Sequence, residues 1–140
     1  MKSVQGKTVL ITGAAMGMGR LFAERAIAEK AKAVVLWDLN EPALQRTLEE
    51  LSGGATEVTA YLVDVGNLDA VTASAAAVLD EVGRVDVLVN NAGIVRGNQY
   101  FWESDSARDT QLTVAVNTLA PMYVARAFLP SMISGSGESR

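Results

Sequence analysis

The chain contains no cysteine and no histidine, and these absences exclude a good deal of chemistry. Without cysteine there is no disulfide framework and no thiolate for a zinc or iron–sulfur centre. Without histidine the commonest general base and metal ligand is missing, so no metal site is expected and any proton transfer must use other groups. Lysine does not recur after Lys32, so none of Tyr61, Tyr100 and Tyr123 has a lysine four residues on. Basic residues form no stripe: Arg20, Arg25, Lys30 and Lys32 are interleaved with Glu24 and Glu29, the net charge is -4 and the pI is near 4.8. Nucleic acid is therefore not expected as a partner. No uninterrupted apolar run approaches a membrane span of about 20 residues, and residues 1–7 carry no apolar core of signal-peptide length. The expectation is a soluble, cytoplasmic protein with no membrane partner.

What is present is material for one core. In 140 residues, 49% are hydrophobic and 20% charged, which suits a single domain over 1–140 and argues against disorder. Apolar, β-branched runs at 8–12, 33–37, 58–63 and 85–90 are each bounded by Gly, Asp or Asn and predict strands. They alternate little between polar and apolar, as parallel strands covered on both faces do. Helix-length segments at 16–29, 41–51 and 67–81 separate them. The order βαβαβαβ predicts an α/β fold: a doubly wound parallel sheet with right-handed crossovers in three α/β/α layers. Beyond the polar stretch 96–105, residues 109–132 predict a long helix with Leu112, Val116, Leu119 and Tyr123 on one buried face. Residues 134–140 read as a flexible loop.

The turn after the first strand is Gly13-Ala14-Ala15-Met16-Gly17-Met18-Gly19. Glycines there permit a sharp turn and close backbone approach to a pyrophosphate, and the following helix N-terminus offers unpaired N–H groups to phosphate. The same turn would also serve a bare strand-to-helix connection. Asp38 closes the second strand about 20 residues past the glycines, where a carboxylate accepts hydrogen bonds from an adenosine ribose and repels a 2′-phosphate. No Arg or Lys occurs among Ala14, Ala15, Met16 and Leu39 to offset it, so NAD(H) is favoured over NADP(H). Asp38 would equally cap the next helix or turn.

The glycine spacing, together with Asn90-Asn91-Ala92-Gly93 after the fourth strand, resembles the short-chain dehydrogenase/reductase family, over essentially the whole chain. The resemblance implies a Rossmann-like fold and a cofactor set of Gly13, Ala15, Met16, Gly17, Met18, Gly19, Asp38, Leu39, Asp64, Val65, Asn91, Ala92 and Gly93. Asp64 matches the family's adenine-contacting Asp, and Asn117 its catalytic Asn, which shapes the long helix and joins a proton relay. Each polar residue also has a plain reading: Asn90 and Asn91 as strand terminators, Asp64 as an N-cap, Asn117 as a surface residue.

The implied reaction is hydride transfer between a nicotinamide and a small-molecule alcohol or carbonyl, with a Tyr as acid/base beside a Lys. The family's Ser, Tyr and Lys have no counterpart here, and Ser131, Ser134, Ser136 and Ser139 are not promoted to that role. The expectation is a chain truncated after the helix preceding the fifth strand, whose unassisted catalysis is doubtful. A non-catalytic NAD(H)-binding module or truncated product is the alternative. Truncation would also leave 85–89 as a long apolar edge. Arg96, Gln99, Tyr100, Phe101 and Trp102 are expected either along the substrate side or as a surface loop of packed aromatics. The resemblance further implies a homo-oligomer, dimer or tetramer, pairing through the 109–132 helix.

Overall fold

The computed structural model describes residues 3–96 and 99–134. Four strands, β1 (Thr8–Thr12), β2 (Ala33–Asp38), β3 (Glu57–Leu62) and β4 (Val87–Val89), pair in parallel in the order β3-β2-β1-β4. Helices α1 (Gly17–Ala28), α2 (Glu41–Leu51) and α3 (Leu68–Glu81) make the crossovers. Two of them start where a side chain replaces a missing backbone partner. Asn40 accepts from Ala43 N at 3.1 Å at the head of α2, and Asn67 accepts from Ala70 N at 3.0 Å at the head of α3.

The two faces of the sheet bury separate clusters. Val9, Ile11, Val34 and Leu36 face α1 and α2 and pack with Ala23, Ala26 and Leu44; Leu10, Val35 and Trp37 face the other way, onto Val71, Val78, Val124 and Phe128. Because successive side chains alternate across a strand, the apolar runs Val9 to Ile11 of β1 and Ala33 to Trp37 of β2 are buried on both faces, which is the three-layer arrangement.

Boundaries differ from the sequence reading where specific bonds end an element. β3 runs one residue earlier, pairing Glu57 with Ala33 and Leu62 with Asp38. β4 is three residues rather than six: it begins only at Val87, after Asp86 has spent its carboxylate on the Thr8 N–H, and beyond Val89 the chain turns its Asn91 N–H to the Thr12 hydroxyl instead of the sheet. The apolar edge is correspondingly shorter than expected, although Val85 remains fully buried. Of the predicted tail loop, residues 135–140 lie outside the described residues.

The long helix spans Ser106–Ser134 and begins earlier than expected, Asp105 capping it through Arg108 N at 2.8 Å. It holds two wide π turns, Ser106–Thr110 and Ala115–Leu119, and Pro121, two residues past the second, has no N–H to donate to the Asn117 carbonyl. These turns shift the buried face. Val116, Ala120, Val124 and Phe128 are buried and Tyr123 packs beside them, whereas Leu112 and Leu119 are exposed, correcting the predicted face. Trp37 and Phe128 meet at 5.6 Å between ring centroids. By length and composition this helix is apolar enough to cross a membrane, with a window of mean hydropathy 1.3. A count of uninterrupted apolar runs misses this because Arg126 and small polar residues break the run.

Candidate functional site

The glycine turn at the end of β1 is shaped by crowding on one side and open space on the other. Gly13 has φ +65°, and a Cβ there would lie 2.9 Å from Ala92 Cα and 3.0 Å from Asn91 Nδ2. A Cβ on Gly19 would overlap the Gly13 carbonyl oxygen. Gly17 differs: its φ is +58°, yet nothing lies within 4 Å of where its Cβ would be. Two glycines therefore allow the chain to close on itself, and the third faces free volume. Met16, the residue before α1, makes no side-chain capping bond, which leaves the first N–H groups of α1 without a side-chain acceptor.

Strand ends hold the turn in place. Asp38 Oδ2 accepts from Ala15 N at 2.9 Å and Oδ1 from Asn40 N at 2.9 Å, while Ala14 N donates to the Trp37 carbonyl at 3.1 Å. On the other side, the Thr12 hydroxyl accepts from Asn91 N at 3.1 Å and Ala92 N at 3.0 Å, and Asn91 Nδ2 donates to both the Thr12 and Gly13 carbonyls at 3.1 Å. Asn91 thus does more than terminate a strand: it ties β4 to the turn after β1. Asp38 is not the cap of α2, a role Asn40 fills. Asp64 is not a cap either; it accepts from Gly66 N at 3.0 Å in a local turn ahead of Asn67.

These elements enclose a cleft of about 580 Å³ at the carboxyl end of the sheet, where open α/β sheets bind their ligands. Of the predicted cofactor residues, Gly13, Met16, Asp38, Leu39, Asp64, Val65, Asn91, Ala92 and Gly93 line it. Ala15, Gly17, Met18 and Gly19 do not. Ala15 and Gly19 are buried and act through packing and backbone bonds, Gly17 sits at the turn with open space before it, and Met18 is exposed. The cleft also takes in Trp37, Asn40, Val63, Ile94 and Val116, which sequence reasoning missed. The apolar ones carried no signal separating a wall of a cleft from ordinary core. Among the described residues no group of three carboxylates is placed to hold a metal ion.

Asn117 lies outside the cleft lining, within the second π turn, and its amide is bonded to Ile94. Arg96, Gln99 and Phe101 line a second cleft of about 330 Å³ with Asp109 and Thr113, whereas Tyr100 and Trp102 stack on each other at 4.6 Å and stay exposed. Asp109 is 6% exposed; it accepts from Asp105 N at 3.1 Å and faces Arg96 at 3.4 Å and Arg108 at 3.5 Å. The Asp105 N–H, followed by the two guanidinium groups, holds its carboxyl below the usual range. Tyr61 donates to Glu81 at 2.6 Å, and burial together with that carboxylate pushes its hydroxyl pKa up.

A glycine turn under a helix N-terminus, an acidic residue ending β2 and a cleft at the sheet's carboxyl edge are the layout of a Rossmann-like α/β protein. The profile of the family described as short chain dehydrogenase matches residues 7–139, and the chain belongs to that family. It is 41% identical over 131 residues to estradiol 17-beta-dehydrogenase 11 of Homo sapiens, covering 94% of this chain and 43% of that protein. It is 40% identical to epidermal retinol dehydrogenase 2 of Homo sapiens, covering 95% and 42%. Among solved structures, a short chain dehydrogenase/reductase from Burkholderia phymatum in complex with NAD superposes with a TM-score of 0.88 at 39% identity, covering 96% of this chain and 47% of that one. L-sorbose reductase from Gluconobacter frateurii complexed with NADPH and L-sorbose gives 0.85 at 28% identity, covering 94% and 49%. The chain spans less than half the length of these relatives.

Proposed function

We propose that this chain supplies the NAD(H)-holding portion of an oxidoreductase that moves a hydride between a nicotinamide and an alcohol or carbonyl carbon. The observation that carries the NAD(H) reading is the Asp38 carboxylate on the wall of a cleft whose lining contains no lysine or arginine. A 2′-phosphate placed there would meet a negative charge with no cation to offset it. The residues fit a dinucleotide: Gly17 leaves open the space a side chain would take, α1 begins without a side-chain cap, and the cleft runs on to Asp64 and Asn91. The relative from Burkholderia phymatum was solved with NAD and L-sorbose reductase with NADPH, which supports a nicotinamide dinucleotide in either form.

In this reading the turn 13–19 binds the pyrophosphate through backbone N–H groups, Asp38 and Leu39 meet the adenosine ribose, and Asp64 and Val65 border the adenine. Asn91, Ala92 and Gly93 carry the wall toward the nicotinamide. The cofactor supplies the hydride; these residues orient it and exclude water. Asn117 belongs to the catalytic set by fixing the long helix against the cleft wall. The acid/base role falls to none of the three tyrosines, since none has the following lysine, and the raised pKa of Tyr61 runs opposite to that role. That same observation favours, as a second reading, NAD(H) binding without turnover by these 140 residues. Exposed Leu112, Leu119, Met122 and Leu129 on the long helix support a homo-oligomer paired through it.

The test is to titrate the chain with NADH and NADPH, following melting temperature and affinity, in the parent and in Asp38→Asn. The variant keeps one acceptor, enough for Ala15 N–H, and removes the charge, but it turns an NH2 toward the Asn40 N–H, so each nucleotide shift is read against the variant's own nucleotide-free melting temperature. Preferential stabilisation by NADH that narrows in Asp38→Asn supports the reading. Stabilisation by neither nucleotide overturns it.

A further inference from the structure

Resting on the dinucleotide reading above, we infer that Thr47 of α2 is a positioning residue for the cofactor, holding the glycine turn in its binding shape through the Ala15 carbonyl. Thr47 is 1% exposed and shares the buried side of α2 with Leu44. A hydroxyl there must find a partner inside the protein. It donates to Ala15 O at 2.8 Å, across 32 residues of sequence. Ala15 lies between β1 and α1, where its carbonyl has no strand neighbour, and its N–H is already taken by Asp38 Oδ2 at 2.9 Å. Both polar groups of this one residue are therefore bonded from the β2–α2 side, one by a half-buried carboxylate and one by a buried hydroxyl.

The next residue shows why this matters for binding. Met16 is extended, with φ -157° and ψ 175°, and Gly17 follows at φ +58°. The direction of the N–H groups entering α1 depends on the orientation of the Ala15–Met16 peptide, whose carbonyl is the atom Thr47 holds. Released, that peptide gains freedom the cofactor would have to remove on binding, and affinity falls even though the fold persists. Asp38 alone does not replace the restraint, because it holds the peptide on the other side of Ala15.

The experiment compares the parent chain with Thr47→Val, which keeps the shape and removes the hydroxyl, and Thr47→Ser, which keeps the hydroxyl. NADH affinity is measured by titration calorimetry well below each melting temperature, with circular dichroism confirming the fold. Thr47→Ala stands in if the valine variant does not fold. The expected result is about a tenfold loss of NADH affinity without the hydroxyl, the size set by one buried hydrogen bond, and parent-like affinity within about twofold for Thr47→Ser. A folded hydroxyl-free variant that binds NADH like the parent, with only a lower melting temperature, overturns the positioning role, as does a serine variant as weak as the valine one. A parent chain that binds no NADH overturns instead the dinucleotide reading on which the inference rests.

Discussion

Asn117 and Ile94 exchange a pair of hydrogen bonds: the Asn117 Oδ1 accepts from Ile94 N at 2.8 Å while its Nδ2 donates to Ile94 O at 2.8 Å. A side-chain amide satisfies a backbone N–H and C=O of the same residue at once, as a neighbouring strand would. The loop leaving β4 has no strand beyond it among the described residues, and Asn117 takes that place from the π turn of the long helix.

Removing the amide should therefore unfasten the helix from the cleft wall. Asn117→Ala is expected to lose about 1–2 kcal/mol of stability, read as a lower urea midpoint. Asn117→Asp should do no better at pH 7, where the carboxylate can accept but not donate and faces the Ile94 carbonyl. It should recover part of the loss below about pH 4, once protonated and able to donate. An aspartate variant insensitive to pH would argue against the paired bonds.

The glycines of the turn should separate into two kinds. Gly13→Ala and Gly19→Ala place a Cβ against backbone and are expected to destabilise the fold itself. Gly17→Ala meets no neighbour and carries only the left-handed backbone cost, about 1–2 kcal/mol, so it should remain folded while losing NADH affinity. Melting curves alongside NADH titration distinguish the two, and equal affinity in a folded Gly17→Ala would remove this turn from the binding site.

Phe128 seals the layer between the long helix and Trp37. It is fully buried, and Phe128→Ala should cost about 3–5 kcal/mol through lost burial and a cavity beside the indole. Denaturant unfolding followed by tryptophan fluorescence would measure it; a change below about 1 kcal/mol would mean that the helix packs differently.

Asp109 predicts a pH dependence. Its carboxyl is held below the ordinary value of 3.8 by the Asp105 N–H and by Arg108 and Arg96. The stabilisation is thus fully present above that value and is lost as pH falls through the lower folded-state pKa. Thermal melts of the parent and Asp109→Asn should differ at pH 7 and converge below pH 3.8. A difference independent of pH would show that ionisation of Asp109 contributes nothing.

Much of this architecture was legible in the residues because parallel strands buried on both faces leave a distinctive trace. Val9 to Ile11 and Ala33 to Trp37 are apolar at every position, and Gly, Asp or Asn marks each exit. The wall of the cleft was readable from Gly13, Asp38 and Asn91, polar or unusual residues at strand ends. What stayed hidden depended on contacts between distant segments. The buried face of the long helix was misplaced because a π turn around Asn117 changes the phase that Leu112 and Leu119 follow. Thr47 went unnoticed because a single hydroxyl among apolar helix positions looks like any tolerated substitution until the Ala15 carbonyl appears opposite it. Ile94 and Val116 carry no polar mark at all.

The strand order has a consequence for how the molecule comes into being. β1, β2 and β3 add outward one after another, but β4 returns across the sheet to pair with β1, and the Thr12 hydroxyl waits for N–H groups 79 and 80 residues away. The first 62 residues contain the glycine turn and its acid, yet they lack one side of the cleft. Such long-range closure is the slow kind of contact to make. The cleft is therefore a late product of folding, and a nascent chain has no complete cleft until the Asn91 segment has emerged and docked.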